Sequence, residues 1–424
     1  MEYRRRVVDD ELDALMPGVA AIAIEGARAV GKTATATRRA TTVHRLDMQA
    51  TFESLRADPE RLARDPKPVL IDEWQRMSET WDVVRRAVDA DTSGGQFLLT
   101  GSASDRNPPT HTGAGRIISL RMRPMSLAER GVDAPSVSLS QLLDGSRPRL
   151  DGDTNLRAEH YAQEIVASGF PGLRGLADRA VRAQLDGYIE RVIDHDFEDL
   201  GGIAIRNPEA VRRWLTAYAS AVGTTAAYEK IRDAANAGYE TKPTKVTALH
   251  WLDALKRLWI SDPLAAWAPS RNDLSTLAQA PRHHLVDPAL AARLRGVGVG
   301  VLMDGGPDGP FPTRDGTYFG ALFESLVTLN VRVFAQAAEA RVFHFRTAKG
   351  THEVDLIVRR ADGRVVAIEV KLAQAITDDD VKHLLWLGGR LGSDLLDAIV
   401  ISTGPRAYRR PDGVGVVPAA LLGA

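Results

Sequence analysis

The chain of 424 residues contains no cysteine, which removes disulfides and thiolate zinc sites and fits a reducing compartment. An excess of either charge is also missing: 54 lysines and arginines stand against 55 aspartates and glutamates, a net charge of -1. Without a global basic field, any contact with nucleic acid has to be local. Long hydrophobic runs are absent, since no apolar stretch approaches the roughly 20 residues of a membrane-spanning helix. Met1-Glu2-Tyr3-Arg4-Arg5-Arg6 is not followed by a signal-type apolar segment, so a cytoplasmic location with no membrane contact is expected. With 44% hydrophobic and 26% charged residues the composition is that of an ordinary globular protein, and the length implies about two to four domains.

What is present begins with Gly26-Ala27-Arg28-Ala29-Val30-Gly31-Lys32-Thr33, placed between the apolar run Val19 to Ile24 and a helix-compatible stretch. A Gly-containing surface turn can fit GxxxxGK[ST], but the strand-loop-helix setting is the one a phosphate-cradling loop requires. In that reading Gly26 and Gly31 let backbone N–H groups face phosphate oxygens. Lys32 reaches the β- and γ-phosphates of ATP and Thr33 holds Mg²⁺. A second motif, Pro68-Val69-Leu70-Ile71-Asp72-Glu73, reads as a buried strand ending in two carboxylates. Adjacent strand residues face opposite ways, so Asp72 is expected in the Mg²⁺ shell and Glu73 on the attacking water.

Strands are predicted over Ala20 to Glu25, Thr42 to Asp47, Pro68 to Asp72, Gln96 to Gly101 and Arg116 to Met122. The fourth ends in hydroxyls where P-loop ATPases with an extra central strand keep a γ-phosphate sensor, a role open to Thr100 or Ser102; ordinary turn chemistry also explains them. From Arg157 to Asp199 the pattern is helical, interrupted at Gly169-Phe170-Pro171-Gly172. Helices over Pro208 to Val222, Thr225 to Ala235 and Pro243 to Trp259, then a short strand over Leu258 to Ser261, follow the order of a winged helix-turn-helix. The third would carry an apolar stripe of Val246, Leu249, Leu252, Leu255 and Leu258. Lys242, Lys245, Lys256 and Arg257 would face DNA, or simply solvent. Glycines and prolines between Gly296 and Pro310 mark a boundary.

Beyond it, a helix over Gly320 to Gln336 carries Glu324 within its apolar pattern, and two strands follow. Glu353-Val354-Asp355 opens the first, and Glu369-Val370-Lys371 closes the second. Glu369 and Lys371 share one face of their strand, so a carboxylate and an ammonium converge. Asp355 from the neighbouring strand completes an oxygen-rich divalent-metal site, with Lys371 acting on water beside a phosphodiester and Glu324 approaching from the helix. A surface hairpin with alternating charges is the plainer alternative, though charges inside otherwise apolar strands need a reason.

Taken together, these segments resemble prokaryotic AAA-type ATPases with a C-terminal domain of unknown function whose core is PD-(D/E)xK-like. The likeness also rests on Tyr3-Arg4-Arg5-Arg6, Gly115-Arg116, Pro124-Met125-Ser126-Leu127-Ala128-Glu129 and Leu285-Val286-Asp287-Pro288-Ala289-Leu290. It departs at Met125 and Leu127, and at Pro288 and Ala289, none of which is a proposed catalytic position. The resemblance implies an α/β organisation: a P-loop ATPase domain over 1–150, a helical connector over 151–205, a winged-helix-like domain over 206–312 and a nuclease-like domain over 313–424. It makes Arg116 a candidate arginine finger, which a neighbouring subunit of a homo-oligomer would supply; an ordinary arginine at a strand start is the alternative. Two functions remain open: an ATPase driving a module that processes DNA or RNA, or a nucleotide-dependent switch whose C-terminal core is a silent scaffold.

Overall fold

Five short apolar runs become β1 (Ala21–Glu25), β2 (Thr42–Arg45), β3 (Val69–Asp72), β4 (Phe97–Gly101) and β5 (Ile117–Arg121) of one parallel sheet in the order β2-β3-β4-β1-β5. In this computed structural model the described residues are 3–102, 113–199, 205, 207–238, 243–268, 279–304, 315–347 and 350–424. The extra strand anticipated at 97–102 is β4, inserted between β1 and β3. Strand starts lie within a residue of expectation, whereas β2 stops two residues early.

Helices Ala158–Ala167 and Asp178–Arg191 form a helical flank packed on the helix Pro288–Leu294, and helices Pro208–Ser220, Tyr228–Ala235 and Lys245–Arg257 form a three-helix unit around Trp214. The apolar stripe expected on the last of these is corrected. Ala248, Trp251, Leu252, Ala254 and Leu255 are buried, while Val246 is 61% and Leu249 37% exposed. A strict three-residue step drifts about 60° per step around a 3.6-residue helix, so it cannot hold one face. The strand expected over Leu258 to Ser261 is likewise reduced to isolated antiparallel bridges, Ser261 to Leu285 and Leu264 to Arg282. Lys242 lies outside the described residues, Lys245 pairs with Glu229 at 2.6 Å, and Lys256 is exposed.

The long helix Asp315–Ala337 leads into a second sheet. Its strands are β7 (Arg341–Arg346), β8 (Glu353–Arg359), β9 (Val365–Lys371), β10 (Leu395–Ser402), β11 (Tyr408–Arg409) and β12 (Gly415–Pro418), in the order β11-β12-β10-β9-β8-β7. β7, β8 and β9 run antiparallel, and β10 lies parallel to β9 after the crossover helix Asp378–Leu391. A small parallel pair joins β6 (Val137–Ser138) to β13 (Leu422–Gly423). The next helix, Leu139–Asp144, also reaches the second sheet, where Arg360 donates to the Leu143 carbonyl at 2.8 Å.

Strand periodicity divides the interior. Ile22, Ile24 and Leu98 on one face of the first sheet share a continuous core with Leu322 and Leu326 of the long helix and with Leu356, Ile368 and Ile399 of the second sheet. Their neighbours in sequence face outward into two local cores, Ala21, Ala23 and Leu99 in one, Ile357, Ala367 and Val400 in the other. Among the described residues no helix is long and apolar enough to cross a membrane.

One carboxylate ties the flank to the middle of the chain. Fully buried Asp287 caps the helix Pro288–Leu294 through the Ala289 N–H at 2.9 Å and accepts from the Ser168 hydroxyl and the Gly169 N–H at 2.8 and 2.7 Å. Asp287→Ala should lower unfolding stability by about 4.5 kcal/mol, three charged hydrogen bonds at roughly 1.5 kcal/mol each. Chemical denaturation of both proteins checks this, and a loss under about 1 kcal/mol would contradict it.

Candidate functional site

The parallel register sets Asp72, at the end of β3, beside Thr100 near the end of β4, and Thr100 beside Ile24 of β1. The loop that follows β1 therefore opens between them. Its backbone takes left-handed values at Gly26 (φ 155°), Ala29 (φ 66°) and Gly31 (φ 105°). A Cβ on Gly26 would stand 2.1 Å from the Met122 carbonyl oxygen, so that position admits only glycine. The helix Lys32–Thr37 starts directly after Gly31.

Lys32 is buried, and its ammonium donates to the carbonyls of Gly26 and Ala27, each at 2.8 Å. Burial pushes its pKa down to about 8, against the opposing pull of Glu73 and Asp72. A cation whose hydrogen-bond partners are neutral carbonyls suits a phosphate oxygen as counter-charge. Thr33 Oγ1 donates to Asp72 Oδ1 at 2.7 Å, and Thr100 Oγ1 donates to the same oxygen. A hydroxyl and a carboxylate so close fit the protein's share of a Mg²⁺ shell.

Glu73 sits in a left-handed turn (φ 57°) just past β3, which aims it away from Asp72. Its carboxylate accepts from the Ser102 hydroxyl at 2.9 Å and the Gln75 amide at 2.5 Å. Thr100 and Ser102 thus divide between the two acids. Beside them a cleft of about 670 Å³ is lined by Arg28, Leu46, Asp47, Glu73, Gln75 and Arg76.

Arg116 is placed elsewhere. It precedes β5, whose first residue pairs with Ala21 at the start of β1, so it lies at the sheet edge opposite the phosphate loop. It is about half exposed and pairs with Asp89 at 2.8 Å.

Two contacts around the loop were not legible as site residues. Buried Arg6 donates to the Val30 carbonyl at 2.9 Å and the Arg123 carbonyl at 2.8 Å, bracing the loop from behind. Arg28 of the loop itself pairs with Asp196 of the helical flank. Only the run Arg4-Arg5-Arg6 hinted at the first.

A second constellation lies in the C-terminal sheet. Asp355 and Glu369 come from the adjacent antiparallel strands β8 and β9, and Lys371 Nζ stands 3.4 Å from Glu369. Glu324 joins them from the long helix, but the group at their centre is Arg282. Its guanidinium Nη1 lies 2.5 Å from Glu324 and 2.9 Å from Asp355, and Nη2 pairs with Glu353. In this arrangement Glu324, Glu353 and Asp355 are gathered on a guanidinium, with Glu369 beside them on Lys371. Among the described residues no three histidine, aspartate or glutamate side chains are disposed to hold a metal ion. Sequence reading missed Arg282 because only the basic run Arg282-His283-His284 before the apolar Leu285-Val286 marks it.

The charges respond to one another. Burial would raise the Asp355 carboxyl, yet Arg282 holds it below the usual range. Glu324 is pushed up to about 8 by burial and by Asp355, against Arg282. Burial and then Asp355 push Glu369 up to about 10, against Lys371.

Because the folded pKa of Glu369 is raised, its contribution to stability is complete below the unfolded value and drains away as pH climbs toward 10. Glu324 acts with the same sign. Glu369→Gln removes the larger share, so its melting temperature should gain on that of the wild type as pH rises from 6 to 9. A difference that stays constant across thermal melts at pH 6, 7.5 and 9 would show that Glu369 titrates normally.

Comparisons with known proteins match three segments of the chain. Residues 19–130 match the AAA domain, residues 158–299 a domain of unknown function (DUF8612), and residues 319–422 another domain of unknown function (DUF4143). No curated protein matches the chain. Among solved structures, a chain from the structure of Drosophila ORC bound to DNA is 15% identical, with 65% of this chain and 90% of that one covered. Its TM-score of 0.21 is too low for the likeness to carry an argument. The matched segment, the inserted central strand and the phosphate loop agree that the chain carries an AAA-type ATPase domain.

Proposed function

We propose that this protein binds and hydrolyses ATP with Mg²⁺ and couples that cycle to a nuclease-like C-terminal module acting on DNA or RNA. The observation that carries the first half is the convergence of the Thr33 and Thr100 hydroxyls on Asp72, with Lys32 held by the Gly26 and Ala27 carbonyls of the loop and Glu73 held separately by Ser102. Lys32 binds the β- and γ-phosphates, Thr33 and Asp72 hold the ion, and Glu73 takes a proton from the attacking water. Bound Mg²⁺ would neutralise charge building on the phosphates.

The second half is supported by topology. A helix, three antiparallel strands, a crossover helix and a parallel strand, with Asp355 on the second strand and Glu369 and Lys371 on the third, is the layout expected of a PD-(D/E)xK-like core. Three helices followed by paired short bridges support a winged-helix-like contact module before it. The competing reading, a nucleotide-dependent switch with a silent C-terminal scaffold, is favoured by one observation: Arg282 neutralises the acidic cluster.

Lys32→Ala should abolish ATP binding, whereas Glu73→Gln should bind ATP and hydrolyse it at least about a hundredfold more slowly. A fluorescent-nucleotide titration paired with phosphate release separates the two defects. Hydrolysis by Glu73→Gln at the wild-type rate would remove Glu73 from its role.

Arg116, held at the far edge of its own sheet, can serve only a neighbouring subunit's nucleotide. Arg116→Ala should then leave ATP affinity intact and lower turnover by roughly a thousandfold. Mixing it with Lys32→Ala should restore part of the activity; turnover unchanged in the single variant would make Arg116 a surface ion-pair partner of Asp89.

A further inference from the structure

Arg282 has an unusual position for a residue outside the C-terminal module. It is 3% exposed, and three carboxylates from the long helix and β8 converge on it. No neighbouring residue in sequence explains this. Its own backbone belongs to the middle of the chain, where its N–H and carbonyl pair with Leu264 at 2.9 and 2.8 Å. The arginine thus reaches from one unit into the acidic centre of another. The neighbouring acid has a cation of its own: Glu369, 3% exposed, lies beside Asp355 and 3.4 Å from the Lys371 ammonium, so positive charge reaches the acids both from the middle of the chain and from β9.

We infer that Arg282 is a tethered cation that stands in the divalent-metal position of the C-terminal cluster and keeps metal out. The inference rests on the reading of Asp355 and Glu369 as a metal-type centre. A guanidinium and a dication cannot share three carboxylates, because each is stabilised by the same charge and the two repel at contact distance. Metal enters only when the segment around Arg282 withdraws. Such withdrawal is mechanically defined: the bridges Ser261 to Leu285 and Leu264 to Arg282 hold the segment as a narrow ribbon, with Asp262 N–H on the His284 carbonyl at 2.9 Å between them. A module that is closed by an arginine from its neighbour accounts both for the acidic centre and for its neutralised state.

The test uses the full chain carrying Lys32→Ala, which disables the nucleotide site, and Mn²⁺ alone as the probe. Binding is followed by the loss of the free-ion electron paramagnetic resonance signal, and folding by thermal melting. Adding Arg282→Ala should raise Mn²⁺ affinity by about a hundredfold or more, the effect of deleting one cation a few ångströms from a dication. It should also make the melting temperature rise with Mn²⁺, and a further Asp355→Asn should erase both gains. If three unneutralised acids prevent folding, Arg282→Gln with Glu353→Gln removes one charge of each sign and should show the same gain. Equal Mn²⁺ binding with and without Arg282, abolished by Asp355→Asn, would overturn the plug while leaving the metal centre standing. A folded Arg282 variant that binds no Mn²⁺ would overturn both.

Discussion

Asp262 is the hinge pin of the molecule. Its buried carboxylate takes Arg121 from the end of β5 at 3.0 Å, Arg123 just beyond at 3.0 Å, and Arg332 of the long helix. Burial would raise its pKa, but Arg121, Arg332 and Arg123 hold it well below the carboxylate range. The cluster depends on the acid, since without Asp262 three largely buried guanidiniums would face one another with no counter-charge between them. Through this one group the ATPase sheet, the middle ribbon and the helix leading into the second sheet share an anchor.

The anchor explains why the two candidate sites are not independent bodies. Arg123, which clamps Asp262, also offers its carbonyl to Arg6, and Arg6 braces Val30 of the phosphate loop. On the other side, the ribbon that contains Asp262 carries Arg282 to the acidic cluster. The apolar core running from Ile22 through Leu326 to Ile368 backs both. The two candidate sites therefore share one packed unit.

The parts that were readable from sequence are those whose chemistry is local. A phosphate loop compresses its ligands into eight consecutive residues, and a buried parallel strand announces itself as an apolar run, so Lys32, Thr33 and Asp72 fell where expected. The Glu369 and Lys371 pair was equally visible, because a two-residue spacing fixes a shared face. Arg282 was not, since its partners lie 42, 71 and 73 positions away and no periodicity links them. The helix over Lys245–Arg257 shows the limit from the other side: the hydrophobic letters were right, but the angular drift of a three-residue step put Val246 and Leu249 on the outside.

The small pairing of Val137–Ser138 with Leu422–Gly423 bears on how the chain reaches its fold. A segment immediately after the ATPase sheet completes its backbone hydrogen bonds only with residues synthesised some 285 positions later, the separation of Leu422 from Val137 in that register. On a ribosome the first sheet can form early, while the turn region around Val137 and the helix Leu139–Asp144 wait for the second sheet to emerge. Closing so long a loop is entropically slow, and it leaves a short unpaired edge open in the meantime. The order of synthesis thus makes the joint between the two sheets, and not either sheet alone, the late and vulnerable step of assembly.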